Sequence, residues 1–565
     1  MKKIYKLFAV AALAVTFTLT SCIEETVSTS TFTEENVNSS SKATEGLLWG
    51  MSSFLNYVGV YSDDRHYDWG YGSLMHVRDV LTGDLAVVSS GYNWYSNWAS
   101  NQYQGRMYVY SAFPWYYYTR AIKSANNAIA SLKKNTSKES DGQLGVAYAY
   151  RSLFYLDAAR MYEFLPNDIY GLDYRTENAD EGGDDETYGK CINYLTIPIV
   201  TEETPEDSVW NNPRVSHEAM YTFIHADLDS AEHKIINYNR SSKVLPNLAC
   251  VYGLKARLYM WNAGYLEEIG ADSVNAEYAK AEAAAQAAIN EGGNTPLTKS
   301  EWLDTQKGFN DMSMSSWMWA ANAMSDDDVV GSGILNWTSW MSPEATFGYA
   351  AAGPMSMIAS NLYDRIHDED FRKLSFIAPE DGELAGQEPL LVTDPNNEDD
   401  YMRDYMPDYT GIKFRPGKGN PSDYKEAAAC DYPLMRVEEM YLIQAEAAAH
   451  QDGGRGRTLI NDFMKAYRNP VYNFNGSSKQ AVIDECFLQK RIELWGEGQI
   501  FFDYKRLNKS VDRSTSSNWD AQERFKTNGR PAWMNLTIII SEENNNKGIK
   551  GYNNPDPSGK YTPVR

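Results

Sequence analysis

ACVYGLKARLYMWNAGYLEEIGADSVNAEYAKAEAAAQAAINEGG, residues 249–293, is the stretch that sets the fold class. Ala249, Gly253, Ala256, Met260 and Ala263 recur at helical steps in its first half, and Ala281, Ala285 and Ala288 do so again before Gly292 and Gly293. Small and apolar residues three and four apart line one face of a helix, and paired glycines stop it. Two such stripes let antiparallel helices approach closely. Outward from this pair, Tyr117–Leu132 and Gln143–Glu163 predict a second, with Ala147, Tyr150, Phe154, Ala158 and Met161 on one face and a stop at Pro166 and Asn167. Leu434–His450 and Thr458–Tyr467, split by Asp452, Gly453 and Gly454, predict a third, and a long final helix covers about Lys479 to Asn508. The chain reads as mainly α.

The helix-turn-helix form, with Tyr278 and Ala279 near the start of the second helix, resembles a tetratricopeptide repeat. Insertions make the repeats uneven. The largest, from about Thr295 to Tyr432, is rich in Gly, Pro, Asp, Trp and Met, and is too long for a passive loop. Insertions on a helical-repeat frame supply binding surfaces. The expected architecture is therefore a scaffold of tetratricopeptide-like helix pairs with a large, irregular, loop-rich ligand-binding insertion. Residues 44–294 form its N-terminal helical-repeat region and 295–565 a C-terminal region within one compact unit.

The N-terminus, MKKIYKLFAVAALAVTFTLTS, has a basic start and an uncharged apolar run from Leu7 to Leu19, well short of the ~20 residues that span a bilayer. Residues 1–21 read as a removable signal. Leu19, Thr20 and Ser21 before Cys22 resemble a bacterial lipobox, which implies lipid attachment at Cys22, for example by palmitate; the alternative is a secreted protein with an incidental cysteine. Ile23, Glu24 and Glu25 resemble the acidic signal that sends Bacteroidetes lipoproteins to the outer cell face. Residues 22–43, rich in Ser, Thr, Glu and Asn, read as a flexible tether. Loss of the three signal lysines takes the net charge from −24 to −27, which disfavours nucleic acid and anionic headgroups.

Chemistry-bearing motifs are scarce. Cys191, Cys250, Cys430 and Cys486 lie outside any paired Cys or Cys/His spacing, and Cys250 and Cys486 fall in apolar helical patterns that suit buried thiols. Asp394, Asn396, Glu398 and Asp400 alternate as in a calcium loop. With Asp399 and Tyr405 where Gly and Glu belong, they read as a solvated acidic loop, like Asp326–Asp328 and Asp184, Asp185 and Glu186. There is no Ser/His/Asp signature, HExxH, phosphate loop or local carboxylate pair suited to glycoside hydrolysis. A binding protein without metal or cofactor is expected, not an enzyme.

Aromatics are the unusual resource, with 40 Tyr and 15 Trp against seven His. SSGYNWYSNWASN, residues 89–101, sets Tyr92, Trp94, Tyr95 and Trp98 among Ser, Asn and Gly without aliphatics. Burying these rings would drag in polar neighbours that need partners. Exposed, they offer flat faces to the C–H face of a pyranose, with Asn93, Asn97 and Asn101 beside them for its hydroxyls. GILNWTSWMSPEATFGY, residues 333–349, offers Trp337 and Trp340 in the same way. Local packing is the competing reading for both. Trp317, Met318 and Trp319 read as a strand in a packed layer, and FPWYYY, residues 113–118, as a packed helix entrance.

PLMRVEEMYLIQAEA, residues 433–447, resembles the helix that opens the C-terminal part of SusD/RagB family lipoproteins, through Pro433, Leu434, Arg436, Glu439, Tyr441, Leu442, Ala445, Glu446 and Ala447. RIELWGEGQIFFDYKRL, residues 491–507, resembles that family's other hallmark, through Arg491, Glu493, Leu494, Glu497, Gly498, Phe502, Asp503 and Arg506; Ile500 stands where Arg is common. The hallmark charges are suited to pairing across neighbouring helices. The resemblance implies a fold of helical-repeat pairs cradling an irregular ligand-binding half. It also implies a role as a surface lipoprotein of the outer membrane that captures oligosaccharides, less often peptides, and caps a SusC-like TonB-dependent transporter. Residues 89–101 fall where members of that family carry ligand-stacking aromatics. The expected ligand-binding residues are Tyr92, Trp94, Trp98, Asn101, Trp337 and Trp340. A peptide-capturing RagB-like lipoprotein and a lipid-anchored glycan hydrolase are the alternatives. Cys22→Ala is expected to release the protein from the cell surface, measured by fractionation, while leaving glycan binding intact.

Overall fold

The computed structural model describes residues 41–62, 65–87, 92–135, 138–172, 190–391 and 405–560. Cys22, the tether up to residue 40, Asp184, Asp185, Glu186 and the acidic run Asp394 to Asp400 lie outside the described residues. The longer helices are α1 (Ser41–Ser53), α2 (Tyr71–Val80), α3 (Val109–Lys133), α4 (Lys138–Tyr162), α5 (His217–Ile235), α6 (Leu248–Glu268), α7 (Val274–Gly292), α8 (Val437–Gln451), α9 (Gly453–Tyr467), α10 (Lys479–Glu493) and α11 (Ile500–Arg506). From α3 to α10 each helix packs on the next. This holds even for α7 and α8, between which the whole stretch from Gly293 to Arg436 leaves the stack and returns. The architecture is the mainly α, tetratricopeptide-like one that the Ala and Gly stripes predict.

Four short strands pin the inserted stretch to the frame: β1 (Leu85–Val87), β2 (Trp317–Asn322), β3 (Ser356–Ile358) and β4 (Asp431–Arg436). β1 pairs antiparallel with β3, and β2 antiparallel with β4. Trp317, Met318 and Trp319 are fully buried, as a strand in a packed layer requires. β4 continues directly into α8, so Pro433–Arg436 is strand where the sequence predicts helix. Pro433 has no N–H to give a helix interior and drives its predecessor extended. The close contact with α6 needs Gly253, where an added Cβ meets Met435 Sδ at 2.3 Å.

Other boundaries differ for local reasons. α9 starts at Gly453 because the Asp452 side chain caps it, accepting from the N–H groups of Gly454 (2.8 Å) and Arg455 (3.3 Å). The FPWYYY run lies inside α3, not before it, with Phe113, Trp115, Tyr117 and Tyr118 buried. The single long C-terminal helix is two helices. Gly496 and Gly498 sit at φ 78° and 66°, and a Cβ on Gly498 falls 2.6 Å from Met75 Cα of α2. The free N–H of Gly498 donates to buried Asp79 at 2.9 Å.

The charged residues of 433–447 and 491–507 form buried networks between elements. Glu493 accepts from Arg372 (3.0 Å), Arg436 (3.1 Å) and Arg468 (2.7 Å), and all four side chains are sealed from solvent. Burial alone pushes the Glu493 carboxyl up, but Arg468, Arg436 and Arg372 together hold it well below its ordinary 4.5. Glu497 pairs with Lys413 (2.6 Å) and Arg436 (2.8 Å), Arg257 with Glu439 (2.6 Å), and Glu446 with Lys490 (2.6 Å) and Arg506 (2.5 Å). Arg491 reaches Asp84 beside β1 (2.6 Å), which Tyr504 also donates to. Trp302 lies within cation–π distance of Lys413, Arg436 and Arg468 at 5.2, 5.5 and 5.1 Å.

Glu493→Gln leaves three buried arginines short of their shared carboxylate and is expected to destabilise the fold by about 3–5 kcal/mol, read by chemical denaturation at neutral pH. Because the folded carboxyl titrates below the unfolded one, its contribution is complete above the ordinary value of 4.5 and is lost as the pH falls through the folded value. The gap between wild type and variant is therefore expected to hold above 4.5 and to narrow as the pH falls from there toward the folded value.

Candidate ligand-binding site

The aromatic segment is a turn followed by the short helix Ser96–Ala99. Most of its polar groups find hydrogen-bond partners, although Asn101 Oδ1 is buried without one. Asn93 Oδ1 accepts from the Tyr95 N–H at 3.0 Å, Ser100 Oγ donates to the Ser96 carbonyl at 2.7 Å, and Asn97 donates to the Tyr110 hydroxyl. Asn101, at φ 52°, donates through Nδ2 to the Pro557 carbonyl at 2.9 Å, and its own carbonyl accepts from the Gly559 N–H at 2.8 Å.

These bonds separate the rings into two layers. Tyr92 is 62% exposed and Trp94 half-buried, whereas Tyr95 and Trp98 are buried. Trp98 meets Tyr67 and Tyr110 edge-on at 5.0 and 4.8 Å. The Tyr95 hydroxyl accepts from Trp69 Nε1 at 2.9 Å and lies 2.8 Å from Ser73 Oγ, while its ring stands edge-on to Trp340 at 4.7 Å. The two Trp-bearing segments, far apart in sequence, thus meet at one place.

Trp340 stacks on Tyr349 at 4.2 Å. The Tyr349 hydroxyl pairs with His66 Nδ1, and the His66 ring lies 4.6 Å from that of Trp94. Burial pushes the Tyr349 phenol up, and a hydrogen bond with Trp94 opposes that shift. Burial lowers the pKa of His66, which favours the neutral imidazole at pH 7. Trp337 is deeper, stacked on Tyr432 at 4.9 Å and edge-on to Phe414 at 5.1 Å.

The sequence reading of open rings therefore describes Tyr92 and Trp94 and does not describe Trp98, Trp337 and Trp340, whose exposures are 2%, 4% and 1%. Asn101, at 1%, is likewise interior. The polar neighbours argue against burial, but local bonds hold Asn93 and Ser100, and Pro557, far along the chain, accepts from Asn101 Nδ2. His66 and Tyr349 were not singled out. Tyr349 closes the 333–349 run, whereas no pattern in the residues around His66 marks it. Among the described residues no group of three or more His, Cys, Asp or Glu is placed to hold a metal ion. The thiols of Cys250, Cys430 and Cys486 are buried and unbridged, and that of Cys191 is exposed.

The model of the SusD family matches residues 393–561. A solved structure from Bacteroides vulgatus ATCC 8482, described as a SusD-like carbohydrate binding protein, is 20% identical, with a TM-score of 0.65 over 90% of this chain and 97% of its own. A SusD superfamily protein from Bacteroides thetaiotaomicron VPI-5482 gives 20% identity and a TM-score of 0.65 over 91% of this chain and all of its own. A laminarin binding SusD-like protein gives 15% and 0.58 over 90% and 98%. At these identities the likeness is one of fold. No curated protein matches the chain.

Trp340→Ala is expected to cost about 3–5 kcal/mol of stability, because its ring joins both aromatic segments. Tyr92→Ala is expected to stay within about 0.5 kcal/mol of wild type. Equilibrium denaturation of the two variants checks the division into layers.

Proposed function

From the match of residues 393–561 to the SusD family model, we propose that this chain is a SusD/RagB-type surface lipoprotein that binds oligosaccharides by aromatic stacking and delivers them to a SusC-like TonB-dependent outer-membrane transporter. The observation that carries the reading is the exposed Tyr92 beside the half-buried Trp94, which leans through His66 and Tyr349 on a buried aromatic layer. A pyranose needs a flat apolar face that does not collapse when sugar is absent, and rings wedged from below provide one without a conformational cost on binding. Tyr92 and Trp94 make the contact in this reading. Trp98, Trp340 and, deeper, Trp337 hold the platform rigid, and Asn101 fixes the segment that carries it.

Two fold relatives described as carbohydrate binding and laminarin binding support a glycan as the ligand. No helix among the described residues is long and apolar enough to cross a membrane, so in this reading attachment rests on lipid at Cys22. Capture ahead of a transporter is an equilibrium task for which micromolar affinity, about −8 kcal/mol, suffices.

Calorimetric titration with a panel of plant, fungal and host glycans, laminarin included, tests the proposal. At least one glycan is expected to bind, and Trp94→Ala to weaken it about tenfold or more, or ~1.4 kcal/mol. Binding of peptides with no glycan bound would sink the reading in favour of peptide capture.

A further inference from the structure

Away from the aromatic platform, a cavity of about 40 Å³ lies where α6, α8, α10 and α11 converge just beyond the end of α4. A water-sized probe fills about 10–15 Å³, so the space takes one small ion or a few waters. Its wall is charged, and the charges are unevenly used. Both oxygens of Glu439 are taken by Arg257 (2.7 and 2.6 Å), and those of Asp503 by Arg506 (2.6 Å) and Lys490 (3.1 Å). Glu163 is engaged by His217 and Trp261, both at 2.7 Å, and Glu268 is paired with Arg530.

The donors are not used up. Nη1 of Arg257, Nη1 of Arg506 and Nε2 of Gln499 are buried without a partner, and all three side chains line the cavity. Arg257 is 3% exposed, Gln499 8%, and the Arg506 side chain 5%. Lys505 adds a positive charge with no carboxylate in contact, since its ammonium donates to the carbonyls of Arg160 (2.8 Å), Met161 (3.2 Å) and Glu163 (2.7 Å). Burial holds that ammonium well below its usual range; Glu163 opposes the shift, and Arg530 and Arg214 add to it.

We propose that this cavity is a binding site for a small monovalent inorganic anion of the halide class, with Arg257, Gln499 and Arg506 as its donors. A water molecule both donates and accepts, so among three donors its own O–H groups compete for acceptors that the neighbouring cations already hold. A halide accepts from all three and returns no donor. It also places a negative charge beside the unpartnered Nη1 groups of Arg257 and Arg506.

Crystals of the full chain grown with sodium bromide in place of chloride, measured at the bromine absorption edge, test this directly. An anomalous peak is expected between Arg257, Gln499 and Arg506; water density alone overturns the proposal. In solution, replacing gluconate, which is too large for the cavity, by chloride at constant ionic strength is expected to raise the melting temperature until the effect saturates. Gln499→Glu brings a tethered carboxylate to the same donors and is expected to abolish that dependence. A dependence that is absent from the wild type, or retained in full by Gln499→Glu, overturns the proposal. The bromide measurement needs no variant and decides the case even where Gln499→Glu does not fold.

Discussion

One buried carboxylate, that of Glu493, ties together segments drawn from across the C-terminal half of the chain. Arg372 comes from the long inserted stretch, Arg436 from the junction of β4 and α8, and Arg468 from the end of α9, while Glu493 ends α10. Burying these charges costs desolvation that apolar side chains avoid, so the arrangement contributes specificity of assembly more than net stability. Apolar surfaces slide past one another with small losses. A carboxylate shared by three guanidinium groups has one geometry. Helix stack and insertion are thereby locked in register, and the register decides where the aromatic rings stand.

The frame was legible because its signals are local. Ala and Gly at steps of three and four in residues 249–293 declare a close helix pair without reference to any other segment. Asp452 ahead of two glycines is a cap that was read as a break, an error of a few residues and not of topology. The break at Gly496 and Gly498 was missed because the apolar pattern runs on through it. Gly498, past the end of α10, takes a positive φ with the backbone of α2 close against it, and nothing in residues 479–508 reports α2.

The candidate site was legible in composition and not in depth. Absence of aliphatics around Tyr92, Trp94 and Trp98 marked the segment as unusual, and the second Trp run marked its companion. Which rings face solvent depends on Asn101 reaching Pro557 and on Tyr95 meeting Trp340 and Trp69, contacts between residues far apart in the chain. A polar residue needs a partner when buried, and a sequence does not reveal whether a distant segment supplies one.

The two-layer arrangement of the rings also bears on how such a protein diversifies. Tyr92 stands outside the packed array, so exchanging it alters what the surface presents while leaving the array below undisturbed, whereas Trp94 is half-buried against His66. Replacing Trp340 removes a wedge on which both segments lean, and replacing Trp98 removes one that packs on Tyr67 and Tyr110. Mutational drift therefore has a cheap channel and a closed one within a single cluster. New surface chemistry can be sampled at Tyr92 without first accumulating a reserve of stability elsewhere, a condition under which related chains that share one frame diverge quickly in what they recognise.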